Sequence, residues 1–302
     1  MRPILILGRA GQVAFELRRT LPSLGPVVAL DRRSEPGVDL ADPDTLVRAL
    51  RQVKPRLIVN AAAYTAVDRA ETEPERAAAV NATAPGVLAE ESKRLGAALI
   101  HYSTDYVFPG DGDRPYREDD PTGPQGVYGR TKLAGEEAVR AAGCDHWIVR
   151  TAWVYGTRGR NFLLTMLRLM AERDRIGVVA DQTGTPTWSR TIAETTAAML
   201  ARHSVADTAG TYHLTCAGHT TWHGFACEIR RRTTALDLLP ESAARIDAIA
   251  TADYPTPARR PAWSVLDTGK LSAVFGLHLP RWDEALALCL EELAERQPPY
   301  SR

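Results

Sequence analysis

Five short apolar runs stand out along the first half of the chain: PILIL (3–7), PVVAL (26–30), RLIVN (56–60), AALIHY (97–102) and HWIVRT (146–151). Near-continuous apolar runs of this length predict strands buried on both faces. Between them the apolar residues recur every three or four positions, which predicts helices over 11–21, 42–53, 74–95 and 128–142. The first of these places Val13, Leu17 and Leu21 in one row, and the second opens with Asp42 as N-cap and Pro43 in the first turn. Residues 109–127 are rich in Gly, Pro and charge and predict a loop. Regular strand–helix alternation with such strands predicts an α/β fold, a doubly wound parallel sheet of Rossmann type, over residues 1–151.

Beyond Thr151 the rhythm loosens. Helices are predicted at 161–173, 190–202, 222–234 and 282–295, with short strands near 176–180 and 211–215, broken by DQTGTPT and YPTPARRP. Residues 152–302 therefore predict a smaller, mainly substrate-binding lobe that returns a strand or two to the first sheet.

Composition narrows the function classes. Among 302 residues, Lys plus Arg and Asp plus Glu number 37 each, so no overall field draws nucleic acid or an anionic membrane. The apolar and charged fractions, 44% and 25%, are those of an ordinary soluble globular protein. Cys144, Cys216, Cys227 and Cys289 are scattered without Cys-x-x-Cys spacing, which predicts reduced thiols and a cytoplasmic setting. The opening MRPILILGRAG is too short to span a bilayer, and the seven His show no zinc-ligand spacing.

In a parallel sheet the carboxyl ends of the strands open onto the ligand crevice. The segment GRAGQVA puts Gly8, Gly11 and Ala14 directly after the first strand. Gly8 suits a tight turn, Gly11 a close approach of backbone to a pyrophosphate, and Ala14 close helix–strand packing. Asp31 ends the second strand, where a carboxylate can accept from ribose hydroxyls. It disfavours a 2′-phosphate, whereas the adjacent Arg32 and Arg33 offset that repulsion, so NADH and NADPH both stand. The alanines of NAAAYT (60–65) serve equally for a flat-lying dinucleotide or for tight packing.

HYSTDYVFPG (101–110) ends the fourth strand with Thr104 and Asp105, and YGRTKLAGE places Tyr128 and Lys132 on one helical face. A phenol titrates near 10, so bringing it to neutrality takes about 4 kcal/mol; that is large for one adjacent, partly solvated ammonium, and the positive nicotinamide of an oxidised cofactor is expected to share the task. On this reading Tyr128 is an acid–base catalyst, Lys132 its electrostatic partner and a ribose donor, Thr104 a second hydrogen bond to the substrate oxygen and Asp105 an acceptor for a substrate hydroxyl.

These motifs, with NAAAYTAVDRAE, resemble the extended short-chain dehydrogenase/reductases. HYSTDYVFPGDGDRPYREDD, VYGRTKLAGE, RTAWVYG, NFLLTMLRLM, DQTGTPT and YPTPARRP, spread over essentially the whole chain, closely resemble the dTDP-4-dehydrorhamnose reductase family within them. The resemblance implies hydride transfer from NADPH or NADH to the C4 ketone of dTDP-4-dehydro-β-L-rhamnose, with Tyr128 as proton donor and Thr104 tuning it. It further implies that Asp105 and Trp153 contact the sugar, and that Gly11, Gln12, Val13, Asp31, Asp39, Leu40, Ala63, Tyr64, Thr65 and Tyr102 line the cofactor.

Arg259 and Arg260 fit either the nucleotide diphosphate or a solvated loop. Related dehydratases follow the Thr-Asp pair with Glu, where this chain has Tyr106, which favours simple carbonyl reduction. Some members form a dimer bridged by Mg²⁺ on three Glu. Glu16 and Glu292 match two positions but Arg190 takes the third, where it would repel a cation and could pair with both carboxylates; no metal is predicted. A monomer or a homodimer is expected. Two alternatives remain: reduction of another dTDP-4-keto sugar such as a streptose-type precursor, and a non-catalytic cofactor-binding regulatory subunit, whose mark would be loss of Tyr128 or Lys132.

Overall fold

The computed structural model describes residues 1–296. The first half alternates as the apolar pattern predicts: β1 (Ile4–Leu7), α1 (Gln12–Thr20), β2 (Val27–Leu30), α2 (Pro43–Val53) and β3 (Leu57–Asn60). Asp42 caps α2, its carboxylate accepting from the backbone N–H of Asp44. The predicted helix over 74–95 is interrupted. A short α3 (Val67–Ala70) precedes α4 (Pro74–Ala78), a π-turn (Ala79–Thr83) and α5 (Ala84–Leu95). β4 (Ala98–Thr104), α6 (Val127–Ala142) and β5 (His146–Thr151) complete the run.

The second half contributes β6 (Val154–Tyr155), α7 (Phe162–Glu172), β7 (Arg175–Val179), β8 (Thr183–Gly184), β9 (Thr187–Trp188) and α8 (Ser189–Arg202). After these come β10 (Gly210–His213), β11 (Thr220–Thr221), α9 (Trp222–Ala235), β12 (Arg245–Ile249), α10 (Gly269–Phe275) and α11 (Trp282–Arg296). Apolar pattern did not foretell β12 or α10. β12 survives by pairing along its whole length with β7, and its own residues are mostly half-exposed.

The main sheet has the order β10-β5-β4-β3-β1-β2 with every pairing parallel. All carboxyl ends therefore share one edge, and the order reverses between β1 and β3, the place where open α/β sheets hold ligands. β1 is 0–1% exposed throughout. Each such Ile or Leu contributes about 1.5–3 kcal/mol relative to exposure. One apolar cluster fills the face covered by α1, α8 and α10, joining Ile6, Leu17 and Trp147 to Ile192, Tyr212 and Phe275. A second, with Leu5, Leu50, Leu88 and Val139, fills the other face. A third lies wholly beyond Thr151, around Met166, Phe225 and Leu286. No helix among the described residues is long and apolar enough to cross a membrane.

Candidate active site

The β1–α1 turn begins at Gly8, whose φ of +98° is strained for any L side chain, and whose absent Cβ leaves room 3.5 Å from the Cβ atoms of Ala14 and Ala62. Gly11 is the N-cap of α1 and offers no side-chain cap. The first-turn N–H groups, unpaired within any helix, are thus available to an anion. Gln12 Oε1 accepts from Asn161 Nδ2 at 2.8 Å, and the Arg158 guanidinium lies 3.7 Å over the Phe15 ring. The turn is thereby tied to the second half of the chain. Val13 packs at the edge of the α1 core.

Asp31 follows β2. Burial pushes its carboxyl up, but the Arg33 N–H, the Ser34 hydroxyl and the charges of Arg9 and Arg33 overcome that and hold it below the usual value. Val38 N–H donates to the Asp31 carbonyl at 3.0 Å, folding the loop back so that Asp39 and Leu40 follow beside it. After β3, Ala63, Tyr64 and Thr65 form a loop fixed by Asn81, whose side chain accepts from Tyr64 N–H at 2.9 Å and donates to the Tyr64 carbonyl at 3.1 Å. The Tyr64 hydroxyl is itself anchored on Glu73 at 2.9 Å.

Thr104 closes β4. Its hydroxyl donates to Asp105 Oδ1 at 2.9 Å and accepts from Tyr106 N–H at 3.2 Å, so it caps a 3-10 turn while facing Tyr128. Asp105 is 3% exposed, and its Oδ2 has no hydrogen-bond partner among the described residues. Burial pushes its carboxyl up to about 6, against the pull of the Thr104 hydroxyl and of the Ser264 hydroxyl, which lies near the carboxylate without reaching hydrogen-bond geometry. The Tyr106 ring meets Tyr128 edge-on, centroids 5.7 Å apart. Gly129 makes this approach possible, because a Cβ there would collide with the Tyr106 carbonyl.

Tyr128 and Lys132 do share one face of α6, but the electrostatics differ from the sequence-based expectation. Burial pushes the Tyr128 phenol up, with partial relief from Thr104; Asp105 and Tyr106 push the same way as burial. Lys132 Nζ instead donates to the Tyr102 carbonyl at 2.6 Å and lies 3.4 Å from His101 Nε2. Burial lowers its ammonium to about 8, opposed by the charge of Glu136. A phenol held protonated suits proton donation rather than a standing phenolate. Tyr102 meets the site through its carbonyl only, since its hydroxyl is 2.7 Å from Thr196 Oγ1 on α8.

Trp153, just past β5, has φ +44°. A non-Gly residue there costs about 1–3 kcal/mol, which the surrounding packing must offset. Its indole stacks on Trp222 at 3.5 Å between centroids. Of the two candidate arginines, Arg259 is exposed. Arg260 reaches inward, its Nη2 2.9 Å from Asp68 Oδ2 and its Nη1 3.5 Å from the Tyr106 hydroxyl. Away from this crevice, Arg190 meets both carboxylates, Nη2 2.8 Å from Glu292 and Nε 3.5 Å from Glu16. Among the described residues no cluster of His, Cys, Asp or Glu is arranged to hold a metal ion.

Comparison with known proteins agrees over nearly the full length. A family model described as RmlD substrate binding domain matches residues 1–295. The dTDP-4-dehydrorhamnose reductase of Burkholderia thailandensis is 50% identical over 296 residues, covering 96% of this chain and 98% of that protein. The chain belongs to the dTDP-4-dehydrorhamnose reductase family. Among solved structures, the dTDP-4-dehydrorhamnose reductase of Clostridium acetobutylicum superposes with TM-score 0.89 at 35% identity, covering 96% and 99% of the two chains. That of Bacillus anthracis, solved in complex with NADP, superposes with TM-score 0.88 at 32% identity and the same coverage.

Several residues at the crevice of this dTDP-4-dehydrorhamnose reductase family member escape sequence reasoning. Trp222, Asn81 and Ser264 lie in no motif, and His101 and Asn60 lie in motifs that gave them no role. Only the strand register and the packing of distant segments bring them to the site.

Proposed function

We propose that the protein reduces the C4 ketone of dTDP-4-dehydro-β-L-rhamnose to dTDP-β-L-rhamnose. Support comes from the phenol of Tyr128, held protonated and half-buried at the start of α6 beside Thr104 and Asp105 at the carboxyl end of β4, and from the reductases of the same family. NADPH or NADH would rest on the uncapped start of α1, with Gly8, Gly11, Gln12 and Val13 at the pyrophosphate. Asp31, Asp39 and Leu40 would meet the adenosine end, and Ala63, Tyr64, Thr65 and the Tyr102 carbonyl would line the remainder. The glycine turn and a Lys132 ammonium with a donor to spare fit such a dinucleotide. Bound there, it supplies the hydride.

Tyr128 donates its proton to the C4 oxygen as the ketone becomes an alkoxide. Its raised affinity for the proton keeps it loaded through neutral pH, and Thr104 holds the hydroxyl in line. Lys132 places a positive charge beside this exchange and binds a ribose hydroxyl. Asp105, with an unused Oδ2, accepts from a sugar hydroxyl. Trp153 forms one wall for the hexose, and Arg260 faces the diphosphate. Residues 1–151 would hold the dinucleotide and 152–302 mainly the sugar nucleotide, residues 297–302 lying outside the described structure. Balanced charge and four free thiols support a cytoplasmic enzyme, monomeric or homodimeric, whose partner is the sugar nucleotide rather than nucleic acid.

The test is loss of reduced-nicotinamide absorbance with the 4-keto-L-sugar generated in situ from dTDP-glucose, and identification of the product. Turnover to dTDP-rhamnose is expected. Normal nucleotide binding without turnover on any dTDP-4-keto sugar would overturn the assignment.

A further inference from the structure

Behind Lys132 lies a buried pair that the reaction above leaves without a role. Asn60 and His101 are register partners across β3 and β4, with Asn60 Nδ2 3.1 Å from His101 Nδ1. The opposite ring nitrogen, Nε2, is 3.4 Å from Lys132 Nζ. Asn60, His101 and Lys132 are only 1%, 1% and 2% exposed.

What these groups demand of one another is strict. An ammonium brings three donors and no acceptor, while a neutral imidazole brings one of each. His101 is held neutral by burial first, then by the charges of Lys132 and His146. With the Asn60 amide nitrogen turned toward Nδ1, the ring proton sits on Nε2 and confronts Lys132, an arrangement that suits only an uncharged amine. With the amide turned over from the placement in the structure, giving up the long 3.4 Å bond that Asn60 Oδ1 accepts from the Ala62 N–H, Nδ1–H donates to Asn60 Oδ1 and Nε2 accepts from the ammonium. Amide orientation, ring tautomer and lysine charge are therefore locked together.

We propose that Asn60 and His101 form a positioning pair that fixes both the charge and the aim of Lys132. Two of its N–H donors are committed to the Tyr102 carbonyl and His101 Nε2, which leaves the third for a cofactor ribose. The proposal rests on the reading that Lys132 binds the dinucleotide. The titratable and charged groups around it are Tyr128 and Glu136 on α6, His101 on β4 and His146 at the start of β5. Arg140 and Arg150 neutralise Glu136. None of the others supplies the missing acceptor: Glu136 is already engaged by Arg140 and Arg150, and the Tyr128 hydroxyl is kept for the substrate.

The decisive measurement is the pH dependence of NADPH affinity, read from fluorescence of the bound dinucleotide and needing no sugar substrate. In His101→Leu the ammonium loses an acceptor, so the alkaline loss of binding should begin about one pH unit lower, a tenfold shift in the proton equilibrium. In Asn60→Asp an acceptor-only carboxylate locks Nδ1–H and adds negative charge, so the limb should move upward by about the same amount. His101→Gln, which keeps an acceptor, should restore most of the wild-type profile. Movement of both limbs in the same direction, or of neither, would overturn the proposal, since damage to packing alone has no reason to act with opposite signs. Should His101→Leu fail to fold, ¹⁵N NMR of the wild-type ring decides: an unprotonated Nε2 with protonated Nδ1 is expected, and the reverse tautomer at neutral pH would sink the idea. If Lys132→Met binds NADPH as tightly as wild type at every pH, it is the cofactor assignment of Lys132 that fails.

Discussion

Lys132 and Glu136 lie one turn apart on α6, both withdrawn from water, and the protein treats them in opposite ways. Glu136 is fully answered. Arg150 grips it with two hydrogen bonds, at 2.9 and 2.8 Å, and Arg140 adds a third at 2.6 Å. Burial would push the Glu136 carboxyl up, yet those guanidinium groups hold it below its usual value. Lys132 receives only a carbonyl and an imidazole, both neutral, and its ammonium is correspondingly weakened. A buried charge matched by opposite charge is part of the framework, whereas one matched only by dipoles is left unbalanced for something that arrives later. Asp105, with its free Oδ2, belongs to the second kind.

Breaking the matched side should cost folding and leave chemistry largely intact. Glu136→Gln strands the Arg150 guanidinium, itself 2% exposed. Denaturant unfolding should then show a loss of about 3–5 kcal/mol, the range for one partner of a buried pair. Breaking the unmatched side should do the reverse. Tyr128→Phe should lower kcat by roughly 10²–10⁴ with stability and NADPH affinity near wild type, as expected for a lost general acid. Lys132→Met should impair both NADPH binding and kcat without destabilising the fold, because it removes a desolvated charge that no acid neutralises.

Asp105 gives the comparison a pH axis. Its carboxyl rises from 3.8 to about 6 on folding, so the native state holds a proton that the unfolded chain releases. Stability is then greatest below the unfolded value and falls as pH climbs toward 6, by about 3 kcal/mol in all. Asp105→Asn should flatten that decline, giving a variant more stable than wild type at neutral pH, equal to it in acid, and weaker for the sugar. The smallest effect is expected at the partly exposed Arg260–Asp68 pair. Arg260→Ala should change stability by no more than about 1 kcal/mol. It should raise KM for the sugar nucleotide about tenfold, as loss of a charge-assisted hydrogen bond would.

What the sequence disclosed follows from what periodicity carries. Tyr128 and Lys132 are four residues apart on a helix, so their shared face could be read directly, as could the glycine turn after β1. The sign of the Tyr128 shift could not, because it depends on the depth of burial and on Lys132 turning to the Tyr102 carbonyl. The Asn60–His101 contact needs the register between two strands. The stacking of Trp153 on Trp222 needs the path of the whole second half, and the left-handed backbone at Trp153 has no signature in residue type. β12 was hidden because it is held by its partner strand rather than by an apolar pattern of its own.

The last strand of the main sheet, β10, is drawn from residues 210–213, well past β5, which it pairs with. A fragment stopped at Thr151 would present the β5 edge bare, with Trp147 stripped of its cover by Phe275, and such an edge invites strand addition between molecules. The parallel sheet is therefore inherited as one piece: the chain must be made past β10 and Phe275 before its first half is safe from aggregation.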